Sequence, residues 1–270
     1  MTPRLPMPRL GTPSWRIRFP LGATALTLLV TGLLWEGAAR LADVSFIPPL
    51  VDVLARLWEL LAQGEILDDL LRSLGNLAIG FGVSVLFGTI IGAAMGLSEK
   101  VEAALDIYVY ALLTTPALVF APVFFAIFGL GSGSIIALIV LYAILYVIIN
   151  TDAAMEAAPV ELLEMAHSFN ASRRTIFFRI RLPAAMPLMM AGIRVAAARA
   201  VRGMINGEMF IAATGLGAVV IQAGTRFDAT TVLAVLILII IIAYLAIEIV
   251  GLLDRRLTGW LPPTERVGGF

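Results

Sequence analysis

Residue types alone close most routes to covalent chemistry in this 270-residue chain. There is no cysteine, which removes disulfides, thiolate zinc sites, iron–sulfur clusters and thiol nucleophiles together. His167 is the single histidine, too few for an imidazole metal site. Lys100 is the single lysine and lies between Ser98-Glu99 and Val101, whereas a phosphate-binding loop needs Lys followed by Ser or Thr after a glycine-rich turn. With no nucleotide motif, Ser/His pair or acidic metal motif in the sequence, what remains is recognition of charge. Arg194, Arg199, Arg202 and Glu208 stand inside one apolar run, where ionisable groups are costly and call for a function. Arg202 precedes Asn206 by four residues, so the two share a helix face.

The elements that position these residues follow from composition. Hydrophobic residues make up 60% of the chain and charged residues 14%, against roughly 45–50% and 25% in soluble domains. The net charge is zero, which argues against a nucleic-acid-binding tail. Six apolar runs approach the ~20 residues needed to cross a bilayer as a helix. They are residues 21–42, 71–97, 104–128, 134–153, 184–210 and 230–252. The expected fold is therefore an all-α polytopic membrane protein with about six transmembrane helices, preceded by a leader over residues 1–20. A secretory signal peptide is the alternative reading of Leu21 to Trp35, but the run is too long and five more follow.

Lysine and arginine collect in cytoplasmic loops. With the N-terminus inside, twelve of the 19 basic residues fall on the cytoplasmic side, which places both termini and the loop over residues 155–182 in the cytosol. Between the first two runs, Leu50, Val53, Leu54, Leu57, Leu60 and Leu61 recur at helical spacing among Asp52, Arg56 and Glu59. That pattern gives an amphipathic helix on the outer surface, or equally a simple packed helix. Trp15, Ile17 and Phe19 alternate with Arg16 and Arg18 as an interfacial lead into the first span. In the second run Gly80, Ser84, Gly88, Gly92 and Gly96 place a small residue at every fourth position, a stripe that admits another helix closely.

The cytoplasmic connection far exceeds the roughly 2 to 8 residues that join antiparallel helices. Pro159 opens it, and Val160, Leu162, Leu163, Met165 and Ala166 form a short amphipathic helix with Glu161 and Glu164 on its polar side. Asn170 suits a sharp left-handed turn. Ser172 is the expected N-cap of a second helix carrying Ile176, Phe177, Phe178 and Ile180 beside Arg173, Arg174, Arg179 and Arg181. Leu182 and Pro183 should end that helix and begin the fifth span. Two short helices with apolar knobs and charges suit a docking surface for a soluble partner better than the alternative, arginines that hug the membrane surface.

The run Glu164-Met165-Ala166, three residues, Asn170, nine residues, Ile180, one residue, Leu182-Pro183 resembles the EAA loop of binding-protein-dependent ABC importer permeases. That loop reads Glu-Ala-Ala, three residues, Gly, nine residues, Ile, one residue, Leu-Pro. Met165 and Asn170 are the two departures. The resemblance extends over nearly all of the chain after the leader and is closest to permeases of the nitrate, sulfonate, taurine and bicarbonate group. Ser73 to Gly96 resembles that group's glycine-striped second span. Leu182 to Glu208 resembles its fifth span, with Pro187, Gly192, Arg194, Arg199 and Glu208 in place, followed by Thr214-Gly215-Leu216-Gly217.

The resemblance implies a type I ABC importer transmembrane-domain fold in a bacterial inner membrane. It also implies a second copy of the chain, a dimer of partner ATPase subunits that hold ATP and Mg, and an extracytoplasmic solute-binding protein. The chain itself is then no enzyme and binds no cofactor. By the same resemblance Glu164, Met165, Ala166, Asn170, Ser172, Arg173, Ile176, Phe177, Ile180, Leu182 and Pro183 couple it to the ATPase. Arg202 stands where the group usually has an apolar residue. Together with Asn206, Arg199 and Glu208 it is the candidate wall of a path for an anionic solute, the alternative being an intramembrane ion pair with Glu208, Glu36 or Glu248. The competing function, an ATP-independent channel or secondary carrier, would have no use for the docking loop.

Overall fold

A computed structural model describes residues 21–42, 46–211 and 213–259, and among these the regular structure is helical throughout. The leader expected over residues 1–20 lies outside the described residues, as does Arg266. The first helix, α1 (Leu21–Ala42), is 22 residues long, about 33 Å at 1.5 Å per residue. Its Leu26, Leu28, Leu29, Leu33 and Leu34 side chains are exposed, as a lipid-facing helix requires. An i, i+4 pair forms near its end, with Arg40 donating to Glu36 at 2.6 Å. Two bonds tie α1 to α2 (Leu50–Ala62): Trp35 Nε1 donates to the Pro48 carbonyl at 3.1 Å, and the Val51 N–H donates to Glu36 at 3.2 Å.

Among the described residues, four helical segments are long and apolar enough to cross a membrane unbroken: α3 (Leu67–Gly96), α6 (Ser132–Glu156), the 39 residues Arg173–Ile211, and α11 (Ala229–Leu257). The run expected as a span over residues 104–128 is not one rod. It divides into α4 (Glu99–Thr114) and a second arm, a 3₁₀ turn at Ala117–Phe120 followed by α5 (Ala121–Phe128), with 98° between the two. Pro116 is the cause. It has no N–H to continue the helix, and it drives Thr115 out of the helical region to ψ 130°. The Thr114 and Thr115 hydroxyls then donate to the Ala111 carbonyl at 3.0 and 2.8 Å.

The small-residue stripe lies on the seam between α3 and α6. Cβ atoms added at Gly80, Gly88 and Gly96 would meet Ile139, Val147 and Met155 at 2.6 to 2.8 Å, so the backbones touch where a side chain would hold them apart. Ser84 is fully buried there and donates to the Gly80 carbonyl at 2.7 Å. On the other flank of α6 lies the long segment ending at Ile211, and Ile135, Ile139 and Val147 share one core with Ala196, Ala200 and Met204.

After Glu156 come α7 (Val160–Ser168), α8 (Arg173–Ile176), a π turn at Phe177–Arg181 and α9 (Leu182–Ile211). The expected break at Leu182-Pro183 does not occur, since α8, the π turn and α9 are one continuous helix. Proline fits inside it because the helix widens just before the ring: the Leu182 N–H reaches back five residues to the Phe177 carbonyl, relieving the crowding that Pro183 would impose on a regular turn. A short buried helix, α10 (Leu216–Thr225), then packs beside α9 and α11.

Candidate coupling loop and transport path

The loop between α6 and the long helix is built as a turn of defined chemistry. Asn170 has φ of +56°, the left-handed conformation that its position in the sequence called for. Around it the Asn170 N–H donates to the His167 carbonyl at 2.9 Å and the Ala171 N–H to the Ala166 carbonyl at 3.0 Å. These two bonds are those of a Schellman motif with Asn170 as its left-handed residue, the place where glycine is otherwise favoured. Ser172 caps the next helix as expected, its Oγ accepting from the Thr175 N–H at 3.2 Å.

The two short helices divide their side chains cleanly. Ala166 and Ile176 point inward and are buried, while Phe177 packs on the cluster of Ala154, Met155, Ala185 and Met189. Ile180, Leu182 and Pro183 are half-buried along the same junction. Glu164, Met165, Asn170, Ser172 and Arg173 face outward, and Phe169 is the most exposed apolar residue among them at 81%. Phe178 sits edge-on to Phe177 at 4.9 Å, with the Arg174 guanidinium 6.0 Å above its ring. Arg181 donates to the Gly96 carbonyl at 3.5 Å, fastening the π turn to the end of α3. A cleft of about 330 Å³ opens beside that contact, lined by Ser98, Glu99, Glu102, Val160 and Leu163.

A second polar group runs along α6 and α9. Tyr142, Tyr146 and Asn150 share one face of α6, and Arg199, Arg202 and Asn206 share one face of α9. Asn206 donates to the Tyr142 hydroxyl at 2.9 Å, and the Arg199 guanidinium lies 4.5 Å over the Tyr146 ring. Arg202 is exposed. Among the described residues neither Arg199 nor Arg202 belongs to an ion pair. The carboxylates weighed as partners for Arg202 are otherwise engaged in two cases, Glu36 by Arg40 and Glu208 by backbone. Arg194 pairs at 2.9 Å with Asp254, joining α9 to the end of α11.

Glu208 is fully buried and offers no surface to a path. Its Oε2 accepts the Gly217 N–H at 3.0 Å, while Asp69 accepts from Gly215 at 2.8 Å and Ser73 from Leu216 at 3.0 Å. Three successive amides at the start of α10 are thus received by side chains of α3 and α9. Gly215 is required twice over, since its φ is +87° and a Cβ there would press on the Glu208 carboxylate. Sequence reasoning had not singled out Asp69, Ser73, Tyr142, Tyr146 or Asp254. Only the i, i+4, i+8 spacing of Tyr142, Tyr146 and Asn150 was there to be noticed. Beyond α10, Asp228 caps α11, and its carboxyl is held below the usual aspartate range by hydrogen bonding to Thr231 against the opposing effect of partial burial.

Residues 84–259 match the family model described as binding-protein-dependent transport system inner membrane component. The chain is 32% identical to the taurine transport system permease protein TauC of Escherichia coli, over 92% of this chain and 91% of that one. It is 29% identical to the putative aliphatic sulfonates transport permease protein SsuC of Bacillus subtilis, over 84% and 83%. It is also 28% identical to the riboflavin transport system permease protein RibX of Chloroflexus aurantiacus, over 91% and 92%. Among solved structures, an inward-facing form of the methionine ABC transporter MetNI superposes with a TM-score of 0.58 at 21% identity, covering 72% of this chain and 98% of that one.

Proposed function

The chain belongs to the family of binding-protein-dependent transport system inner membrane components, and from that premise we propose that it forms the path for a small anionic solute in an ABC importer. It is a permease component rather than an enzyme. The observation that carries the anion reading is the pair of guanidinium groups, Arg199 and Arg202, on one face of α9 without a carboxylate partner among the described residues. A cation within an apolar span is stabilised by a counter-charge, and a passing anion supplies one. Asn206 and Tyr142 add neutral donors beside it, which orient an oxyanion without trapping it.

The energy for uphill movement comes from partner ATPase subunits, which hold ATP and Mg. The outward residues from α7 to the π turn seat in those subunits, with Met165, Phe169 and Phe178 as apolar knobs and Glu164 and Arg173 as charged guides. A solute-binding protein delivers the solute on the outer face, and a second copy of the chain completes the path about a two-fold axis. ATP binding favours one of two conformations only through its differential affinity for them, so docking must differ between the two states.

Arg202→Leu tests the path: solute uptake should fall while assembly and solute-free ATPase activity persist, and unchanged uptake refutes the assignment. Glu164→Arg tests the coupling loop, because the ATPase subunit should then be lost from a chain that still inserts. Stoichiometric co-purification of that variant with its ATPase refutes the docking role.

A further inference from the structure

Three arcs of side chains divide the surface of α2. Val53, Leu57 and Leu60 form the first, buried against α11. Centred about 110° round the helix from that seam is a second apolar arc, Val51, Leu54, Trp58 and Leu61, which is exposed, Trp58 at 73%. The third arc is polar, Asp52, Arg56 and Glu59, and it faces about 150° away from the exposed apolar one. A helix covered by water needs only one apolar face, and a helix crossing the bilayer has no use for a charged one. Opposed apolar and charged faces beside a packed seam suit a helix lying flat at the boundary between lipid and water.

The neighbours agree with that placement. The Trp35–Pro48 and Glu36–Val51 bonds hold the start of α2 to α1, whose leucines are exposed as well, so the apolar arc of α2 continues an apolar surface of the chain. On the opposite side Arg56 donates to Thr231 at 3.1 Å and to Glu65 at 2.9 Å, binding the charged arc to the first turn of α11. Partial burial disfavours the charged form of Arg56, but the hydrogen bonds it donates to Glu65 and Glu59 outweigh that and keep it charged.

We propose that α2 is an anchor in the outer headgroup layer, with Val51, Leu54, Trp58 and Leu61 dissolved among lipid acyl chains and Asp52 and Glu59 in water. Because α2 is bonded to α1 and to the first turn of α11, this contact sets the depth at which those two helices sit in the bilayer. The proposal rests on the reading of this side as external, but not on the solute or its path.

The cysteine-free sequence makes the test direct. Single cysteines placed in turn at positions 51, 52, 54, 58, 59 and 61 of the full chain carry a nitroxide, and the labelled chains are reconstituted in phosphatidylethanolamine–phosphatidylglycerol vesicles. Accessibility is compared between oxygen, which concentrates in lipid, and a water-soluble nickel chelate. Oxygen should exceed nickel severalfold at 51, 54, 58 and 61, with the order reversed at 52 and 59. Nickel exceeding oxygen at 54 and 58 would mean a water-facing surface, as for docking of a soluble protein, and would overturn the proposal. Low access to both reagents at 54 and 58 would mean that a second copy covers the arc, and would equally overturn it. Failure of the Arg202→Leu uptake test leaves these outcomes unaffected, so the two readings fail separately.

Discussion

Replacing Gly92 by alanine would drive a methyl group into α6. The new Cβ would lie 2.8 Å from Thr151 Cβ and 3.1 Å from the Ile148 carbonyl carbon, and it would press directly on the Ile148 carbonyl oxygen. Ordinary contacts for such a carbon begin near 3.4 Å. Neither neighbour can yield alone: one is backbone, and Thr151 is fully buried. The helices must therefore separate, which loosens the packing of Gly88 and Gly96 on the same seam. Overpacking of this kind costs about 1–3 kcal/mol. Alanine is intrinsically better than glycine in a helix by roughly 0.5–1 kcal/mol, so the net loss should be about 0–2.5 kcal/mol. At about 2–4 °C per kcal/mol for a chain of this size, Tm should fall by a few degrees. Gly82→Ala is the control, because a Cβ there has nothing within 4 Å and only the propensity gain applies. Thermal unfolding of the purified chain in detergent, followed by circular dichroism, measures both. The sign of the difference decides: if Gly92→Ala is as stable as Gly82→Ala, the backbones are not in contact at that seam.

Three further outcomes are expected. At Asn170, Gly should preserve ATPase association and Val should weaken it, since a branched residue held left-handed costs about 1–2 kcal/mol; equal pull-down yields for the two variants would contradict the turn. Glu208→Ala leaves the buried Gly217 N–H without its acceptor and should lower stability by about 1–3 kcal/mol, while Glu208→Gln, which still accepts, should lose much less; unfolding curves for the pair check this. Asp228 is held below its ordinary value in the folded state, so its contribution is present above the unfolded aspartate pKa of about 3.9 and is lost as pH falls through the folded value. The Tm of the parent should consequently drop more than that of Asp228→Asn as pH is lowered from about 5 to about 3.

What could be read from the sequence was local. Asn170 and Ser172 declared their roles because a left-handed turn and an N-cap depend on residue type within a few positions. The glycine stripe declared a close helix contact because its period of four keeps it on one face. Ala104 to Phe128 did not declare its bend: hydropathy is averaged over the run, and the single Pro116 that redirects the chain leaves that average almost unchanged. Pro183 misled in the other direction, since a proline that ends one regular helix is carried inside another once the preceding turn widens. Glu208 read as a charge in a span and so as a path residue. Its partners identify it as a clasp, and Asp69 and Ser73, which share the task, lie 146 and 143 residues away from the amides they receive. The pairing of Arg194 with Asp254, 60 residues on, was hidden for the same reason.

The π turn at Phe177–Arg181 bears on how insertions and deletions can be tolerated. Bonding five residues back takes up one residue more per turn than bonding four back, so the helix beyond it keeps the azimuth it would have with one residue fewer. Deleting one residue inside Phe177–Arg181 would tighten that turn and leave Arg199, Arg202 and Asn206 aimed as before relative to the docking loop. Deleting one between Ala196 and Ala200 would swing Arg202 and Asn206 by about 100°, turning them off their present face. The slack in the rod is confined to the end that carries the α7–α8 turn, and past Leu182 its length and its aim cannot be varied independently.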